Sequence, residues 1–216
     1  MSGRILIFAR TPELGKVKTR LQPVLGEEGC YQLHSQLVSS VVRTAVQSEV
    51  APVDVWHTGN AEHVLWRSLV SEFPISLNEQ NGDELGERML NAASTALMYP
   101  EPSDWLILIG SDCPEIDRSY LSKAMQILDS GKELVIGPAL DGGYVLLGFR
   151  RINAFLFHDI PWGTGQVLVR TLAIAEQNAC PVQLLKPLRD IDTADDLPFY
   201  DGEILSTNSV FTPPNN

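Results

Sequence analysis

Asp112 is the residue of this sequence best placed to do chemistry. It follows an unbroken apolar run, WLILI at 105–109, which stops at Gly110 and Ser111. A short apolar run without polar alternation is typical of a strand buried on both faces, as in a parallel sheet. Ligands of open α/β sheets lie outside the carboxyl ends of the strands. We therefore expect Asp112 to hold a ligand or a hard cation, Mg²⁺ or Mn²⁺. The alternative is that it caps a turn or the next helix.

A cluster of cations follows the first predicted strand. Lys16, Lys18 and Arg20 lie on a loop that begins at Gly15 and reads GKVKTRL (15–21). Ammonium and guanidinium groups, together with backbone N–H groups near a helix start, suit a polyphosphate. The spacing fits neither the P-loop nor the GxGxxG pattern. On spacing alone, a solvated charged loop is an equal alternative.

Two further stretches carry polar groups that could serve a site. DGGY at 141–144 separates two predicted strands; a plain hairpin turn is the stronger local interpretation, and its glycines also allow close approach to a ligand. DIDTADD at 190–196 holds four carboxylates. Asp195 and Asp196 fall in the first turn of a predicted helix, where negative charge is favourable. Asp190 and Asp192 remain candidate metal ligands.

Other reactive or aromatic side chains are weaker candidates. Cys113 has no evident partner histidine, so a nucleophilic role is disfavoured. Trp162 could stack on a ligand ring, with the protein core as the default. The four histidines form no ligand spacing, and we assign them no role.

Strands are predicted to alternate with helices along most of the chain. The predicted strands are 4–9, 52–57, 74–77, 105–109, 133–137, 144–149 and 182–186. The predicted helices are 27–48, 60–72, 119–129, 164–177 and 193–200. A further helix has Leu85, Met89, Ala93 and Ala96 on its inner face. Asp117 or Ser119 is predicted to cap the helix 119–129, and Thr193 the last helix. This alternation predicts an α/β fold with a mostly parallel central sheet and helices on both faces. Without a linker or repeat, we expect one domain over 1–200 and a loose tail over 201–216.

Composition narrows the class of protein. The 216 residues are 44% hydrophobic and 20% charged, with a formal net charge of −11. That charge makes a broad nucleic-acid surface improbable. No run is long enough to span a membrane, and no leader is visible. Three widely spaced cysteines without a CxxC pair predict free thiols and a cytoplasmic protein.

The motifs occur in one order: GKVKTRL, GSDCP, PALDGGYVLLG and DIDTADDL. In that order they resemble the nucleotide-diphospho-sugar transferase superfamily, which has the glycosyltransferase-A, Rossmann-like fold. The likeness covers about 5–197 and is greatest to the bacterial glycosyltransferase-like, radical-SAM/selenodomain-associated transferases. Phospholactate guanylyltransferase and the molybdenum-cofactor nucleotidyltransferases are more distant. Two features depart from the pattern of that superfamily. The loop after the first strand has a single glycine, and the Asp-x-Asp motif is absent because Gly110 stands two residues before Asp112.

The resemblance implies roles for individual residues. Gly15, Lys16, Lys18 and Arg20 would bind the nucleotide's phosphates, and Asp112 with Asp192 would hold Mg²⁺ or Mn²⁺. The nucleotide pocket would also include Gln80, Gly82, Asp83 and Arg88. The acceptor side would include Asp141, Gly142, Gly143, Tyr144 and Trp162, and the catalytic set would be Lys18, Arg20, Asp112 and Asp141.

Three functions are compatible with these residues. The preferred one is nucleotidyl transfer from a nucleoside triphosphate to a small phosphorylated acceptor, in which charge neutralisation carries most of the catalysis. The second is glycosyl transfer from a nucleotide-diphospho-sugar, with Asp141 as the base. The third is a non-catalytic nucleotide-binding domain, because a fold does not fix a function.

Overall fold

The computed structural model describes residues 2–98 and 103–200. They form one seven-stranded sheet in the order β3-β2-β1-β4-β6-β5-β7. The strands are β1 (Gly3–Arg10), β2 (Val53–Thr58), β3 (Ile75–Glu79), β4 (Trp105–Gly110), β5 (Leu134–Pro138), β6 (Tyr144–Phe149) and β7 (Val182–Leu184). Of these seven strands only β6 runs antiparallel, pairing with β4 and β5, so the predicted mostly parallel sheet is confirmed. The predicted tail, 201–216, lies outside the described residues.

The α-helices cover both faces of the sheet, as predicted. They are α1 (Gln22–Gln47), α2 (Val64–Glu72), α3 (Leu85–Met98), α4 (Arg118–Asp129) and α5 (Val167–Gln177). Side chains alternate across a strand, so β1 sends Ile5 and Ile7 to the face covered by α1, α2 and α4. Leu6 points to the opposite face, with α3 and α5. Burial on both faces explains why the central strands are continuous apolar runs.

Several predicted helix limits need correction. Gly26, at φ 67°, breaks the first turn of α1, so the regular helix starts where it was predicted, at about 27. The helices predicted from 60 and from 164 begin later, at Val64 and Val167. The predicted helix 193–200 is a short 3-10 helix, Ala194–Phe199, because Pro198 lies inside it. Leu85, placed on the inner face of α3, is 41% exposed.

Two predicted caps are confirmed. Asp117 accepts a hydrogen bond from the Tyr120 backbone N–H at 2.7 Å and caps α4. Thr193 begins a capping box in which Asp196 accepts from the Thr193 backbone at 2.8 Å. Asp196 therefore serves the local helix, as its position predicted. Among the described residues no helix has the length and apolarity needed to cross a membrane.

Candidate active site

A cavity of about 580 Å³ opens at the carboxyl ends of β1 and β4. Nearly every segment singled out in the sequence reaches it, which agrees with the general position of ligands in open α/β sheets. The predicted site residues that line it are Lys16, Lys18, Arg20, Gln80, Arg88, Asp112, Asp141, Gly143, Tyr144, Trp162 and Asp192. Gly15, Gly82, Asp83 and Gly142 do not line it; they belong to the loops that support those residues.

Lys18 is held in one position by its backbone and by its side chain. Its backbone is left-handed, at φ 48°, immediately before the 3-10 helix Thr19–Leu21. The carbonyl of Lys18 accepts from the Leu21 N–H at 2.8 Å and from the Cys30 thiol at 3.3 Å. The ammonium donates to the Ile191 carbonyl at 2.6 Å, and the side chain is only 4% exposed.

The Lys18 ammonium also joins two carboxylates from distant parts of the chain. Nζ lies 2.8 Å from Asp112 Oδ1 and 3.8 Å from Asp192 Oδ1. A backbone hydrogen bond from Ile191 N–H to the Asp112 carbonyl, 2.9 Å, holds the two acidic segments together. Lys18 of the cationic loop and the predicted metal ligands, Asp112 and Asp192, therefore lie together in the cavity.

Asp112 presents only one of its oxygens to the cavity. Oδ1 is buried, whereas the side chain as a whole is 44% exposed, so Oδ2 is the accessible oxygen. Burial alone would raise the pKa of Asp112, but the Lys18 ammonium, together with His34 when that ring is protonated, outweighs the burial, and the pKa lies below its ordinary value. The carboxylate is consequently ionised at neutral pH and available to a cation.

His34 is a site residue that the sequence analysis missed. It lines the cavity, its Nε2 donates to the Arg10 carbonyl at 2.9 Å, and its Nδ1 lies 3.9 Å from Asp112 Oδ1. Burial lowers its pKa more than the Asp112 carboxylate raises it, so the ring is neutral at pH 7. One feature of the sequence could have identified His34 as a site residue: it is a polar side chain within the apolar stripe of α1.

The other acidic residues differ in environment. Asp190 is partly buried, and burial together with the nearby Asp141 carboxylate raises its pKa to about 6. Asp141 lies on the β5–β6 hairpin, where Oδ1 accepts from the Gly143 N–H at 2.8 Å. The hairpin interpretation of this loop is correct, and the same turn places Asp141 at the cavity.

The residues fit a divalent cation that also binds substrate. Within 2–98 and 103–200 no three His, Cys, Asp or Glu side chains form a ready-made metal centre. Mg²⁺ commonly binds through one or two carboxylates plus substrate phosphates, and Asp112 with Asp192 offers that number. Cys113 contributes nothing reactive, because burial raises the pKa of its thiol to about 12.

Hydrogen bonds to backbone carbonyls hold Gln80 and Arg88, two residues predicted to bind the nucleotide. The Gln80 amide donates to the Trp56 carbonyl at 2.8 Å and to the Ala9 carbonyl at 3.4 Å, which fixes its orientation. Arg88 donates to the carbonyls of Gly82 at 2.8 Å and Asp83 at 3.1 Å, and so ties their loop to α3.

The opposite wall is aromatic. Trp162 is half-buried and meets Tyr144 edge-on, with ring centroids 6.1 Å apart at 89°. Both rings line the cavity, and Trp162 also packs against two buried clusters of the core, so its position fits both interpretations made from the sequence.

A family match covers the middle of the chain. The model of DUF2064, described as an uncharacterized protein conserved in bacteria, matches residues 41–164. This chain belongs to that family. The matched segment includes Asp112, Asp141 and Trp162, while Lys18 and Asp192 lie outside it. Among curated proteins, no sequence matches the chain.

Solved structures extend the likeness to nearly the whole chain. A Desulfovibrio desulfuricans protein, provisionally assigned as a nucleotide-diphospho-sugar transferase, is 29% identical; the match covers 98% of this chain and 90% of that one, with a TM-score of 0.82. A nucleotidyl transferase from Methanothermobacter is 15% identical over 96% and 99% of the two chains, with a TM-score of 0.62. A Mycobacterium tuberculosis protein in complex with manganese is 18% identical over 92% and 97%, at 0.51.

These comparisons confirm the predicted fold class and superfamily resemblance. At 15% and 18% identity, the last two show the fold alone. The predicted assignment to the transferases is supported by the first structure, and the finer assignment of substrates is a matter for proposal.

Proposed function

We propose that this protein is a divalent-metal-dependent nucleotidyltransferase that uses a nucleoside triphosphate and a small phosphorylated acceptor. The observation that carries the proposal is the meeting of Lys18 and Asp112, 2.8 Å apart, in a cavity of about 580 Å³. A buried ammonium next to an accessible carboxylate provides opposite charges for a phosphate chain and its metal. The provisional assignment of the Desulfovibrio protein as a nucleotide-diphospho-sugar transferase supports a transferase that uses a nucleotide, and the Methanothermobacter nucleotidyl transferase shares the fold.

The proposed reaction is a displacement at phosphorus. An oxygen of the acceptor phosphate attacks the α-phosphorus, the bond to the bridging oxygen breaks, and pyrophosphate leaves. An ionised phosphate needs no general base, so positioning and charge stabilisation carry the catalysis. A bound divalent cation would supply charge neutralisation and orient the phosphates.

Different side chains of the cavity bind the phosphates, the metal and the base. Lys18 and Arg20, with Lys16, bind phosphate oxygens, and Gly15 belongs to the loop that carries them. Asp112 and Asp192 hold the metal, for which the manganese complex of the Mycobacterium protein is a precedent within the fold. Gln80 Oε1 accepts no hydrogen bond from the described residues, so it is available to an N–H group of the base. Arg88 holds the loop of Gly82 and Asp83 beside it.

The acceptor occupies the remaining side of the cavity. The residues that line this side are Asp141, Gly143, Tyr144 and Trp162, and Gly142 belongs to the turn that carries them. Asp141 is exposed on the hairpin and lines the cavity, which also favours a second candidate function, glycosyl transfer to a hydroxyl with Asp141 as the base.

A ligand panel tests the proposal. Thermal unfolding is measured with each common nucleoside triphosphate and nucleotide-sugar, with and without Mg²⁺. A triphosphate at 100 times its Kd should stabilise the protein by about 2.7 kcal/mol. The stabilisation should disappear in Lys18→Ala and persist in Lys123→Ala, which removes an exposed lysine of α4 outside the cavity. Nucleotide-sugar turnover with no triphosphate binding would support glycosyl transfer, and stabilisation without turnover of any nucleotide would support a binding domain.

A further inference from the structure

Each cation of the loop 15–21 already has a carboxylate partner. Lys16 Nζ lies 2.6 Å from Glu13, Lys18 Nζ lies 2.8 Å from Asp112, and Arg20 lies 2.6 Å from Asp192. The first pair is exposed and involves neither Asp112 nor Asp192. The other two pairs involve the same carboxylates that are proposed to hold the metal.

The Lys18 ammonium occupies the space between those two carboxylates. It contacts Asp112 Oδ1 at 2.8 Å and faces Asp192 Oδ1 at 3.8 Å. Its third partner is the Ile191 carbonyl, at 2.6 Å, in the segment that carries Asp192. With 4% exposure, the charge of Lys18 is stabilised by these groups rather than by water.

Few oxygens therefore remain for a metal ion alone. Both oxygens of Asp192 face a cation, since Oδ2 accepts from Arg20 at 2.6 Å. On Asp112, only Oδ2 faces the cavity without a cation beside it. A divalent ion that bridged Asp112 and Asp192 would lie close to the Lys18 ammonium, and the two positive charges would repel each other.

We infer that the Lys18 ammonium takes the place of the divalent cation between Asp112 and Asp192, and that metal and polyphosphate replace this contact together. The inference rests on the proposed function and deepens it. When phosphate oxygens accept hydrogen bonds from Lys18 and Arg20, the carboxylates of Asp112 and Asp192 become available to the metal. Either ligand alone leaves one buried partner uncompensated, so the two ligands bind with positive coupling, and the coupling is the same in both directions.

The wild-type protein provides the first test. Calorimetric titration measures the Kd of Mn²⁺ alone and in the presence of inorganic tripolyphosphate, corrected for their association in solution. We expect tripolyphosphate to tighten Mn²⁺ binding by roughly 5–150-fold, the range typical of coupled sites. Equal Kd values would overturn the inference while leaving the proposed function intact. Absence of tripolyphosphate binding, with and without Mn²⁺, would contradict the proposed function itself.

A substitution provides the second test. Lys18→Met keeps an unbranched chain but removes the charge, so Mn²⁺ alone should bind on the order of tenfold more tightly while tripolyphosphate binds less tightly. Lys123→Met, which removes an exposed lysine of α4 outside the cavity, should leave the Kd of Mn²⁺ unchanged. Weaker or unchanged Mn²⁺ binding by a folded Lys18→Met protein would overturn the inference. If that variant does not fold, the wild-type titration decides.

Discussion

The Lys18 ammonium lies 2.8 Å from the Asp112 carboxylate and joins the loop after β1 to the end of β4. Because both residues line the cavity, the pair links the phosphate-binding and metal-binding parts of the proposed site. Lys18→Ala should lower turnover on the order of 10²-fold or more, the effect of losing one positioned charge at a developing oxyanion. Steady-state kinetics with the nucleotide found by the ligand panel would check this. An unchanged rate would contradict a role in phosphate binding.

Substitution of Arg20 should weaken triphosphate binding without a large change in the stability of the fold. Its side chain is 67% exposed, and an exposed ion pair such as Arg20–Asp192 contributes little to folding. Arg20→Ala should therefore change the free energy of unfolding by less than about 0.5 kcal/mol while weakening triphosphate binding. Urea denaturation and calorimetric titration on one preparation would test both. A large loss of stability with unchanged affinity would show that Arg20 has a structural role instead.

Gly142 should be required for the hairpin that carries Asp141. Its φ is +92°, and a Cβ there would collide with the backbone of Gly165. Gly142→Ala should destabilise the protein by roughly 3 kcal/mol or more, from the left-handed backbone and the clash together. Gly163 is the matched control, because its φ is +76° but an added Cβ would meet no atom within 4 Å.

The control variant isolates the backbone cost from the steric one. Gly163→Ala should cost only about 1–2 kcal/mol, the penalty of the left-handed conformation. Urea midpoints of the two variants give the comparison. Equal losses would mean that contact with Gly165 does not restrict this turn.

Stability should fall as the pH is lowered from 7 to 5. Burial lowers the pKa of His34, His57 and His63, so the unfolded state protonates these rings first and binds more protons below pH 6.5. Each ring contributes at most about 1.4 kcal/mol per pH unit. Asp190 acts in the opposite sense: with its pKa raised from 3.8 to about 6, the folded state binds more protons in that window.

A buried histidine that does not line the cavity tests the predicted direction of this pH dependence. His57→Gln should flatten the fall in the free energy of unfolding between pH 7 and 5, whereas His158→Gln, at an exposed position, should not. Denaturation curves at several pH values would provide the slopes. A slope unaffected by His57→Gln would show that this ring does not resist protonation.

The fold could be predicted because its signals are local. Continuous apolar strands such as 105–109 exist only where both faces are buried, and the carboxyl end of such a strand locates Asp112 without knowledge of its neighbours. The hairpin at Asp141 and the cap at Thr193 follow from turn and cap chemistry in the same way.

The partners of the site residues could not be predicted, because they depend on long-range contacts. Nothing local to Lys18 indicates that its ammonium bonds to Ile191 and lies between Asp112 and Asp192. His34 was missed because its spacing suggests only a core helix, and the contact with Asp112 exists only in the folded chain. Pro198, although visible in the sequence, shortens a helix whose cap was correctly predicted.

The most direct test of the central claim is the position of a bound metal. Crystals grown with Mn²⁺ and the nucleotide that stabilises the protein would be measured for anomalous scattering at the manganese edge. We predict a peak at coordination distance, about 2.0–2.2 Å, from an oxygen of Asp112, with the phosphate chain contacting Lys18. A nucleotide bound with its phosphates away from Lys18, or a metal peak remote from Asp112, would contradict the proposed site.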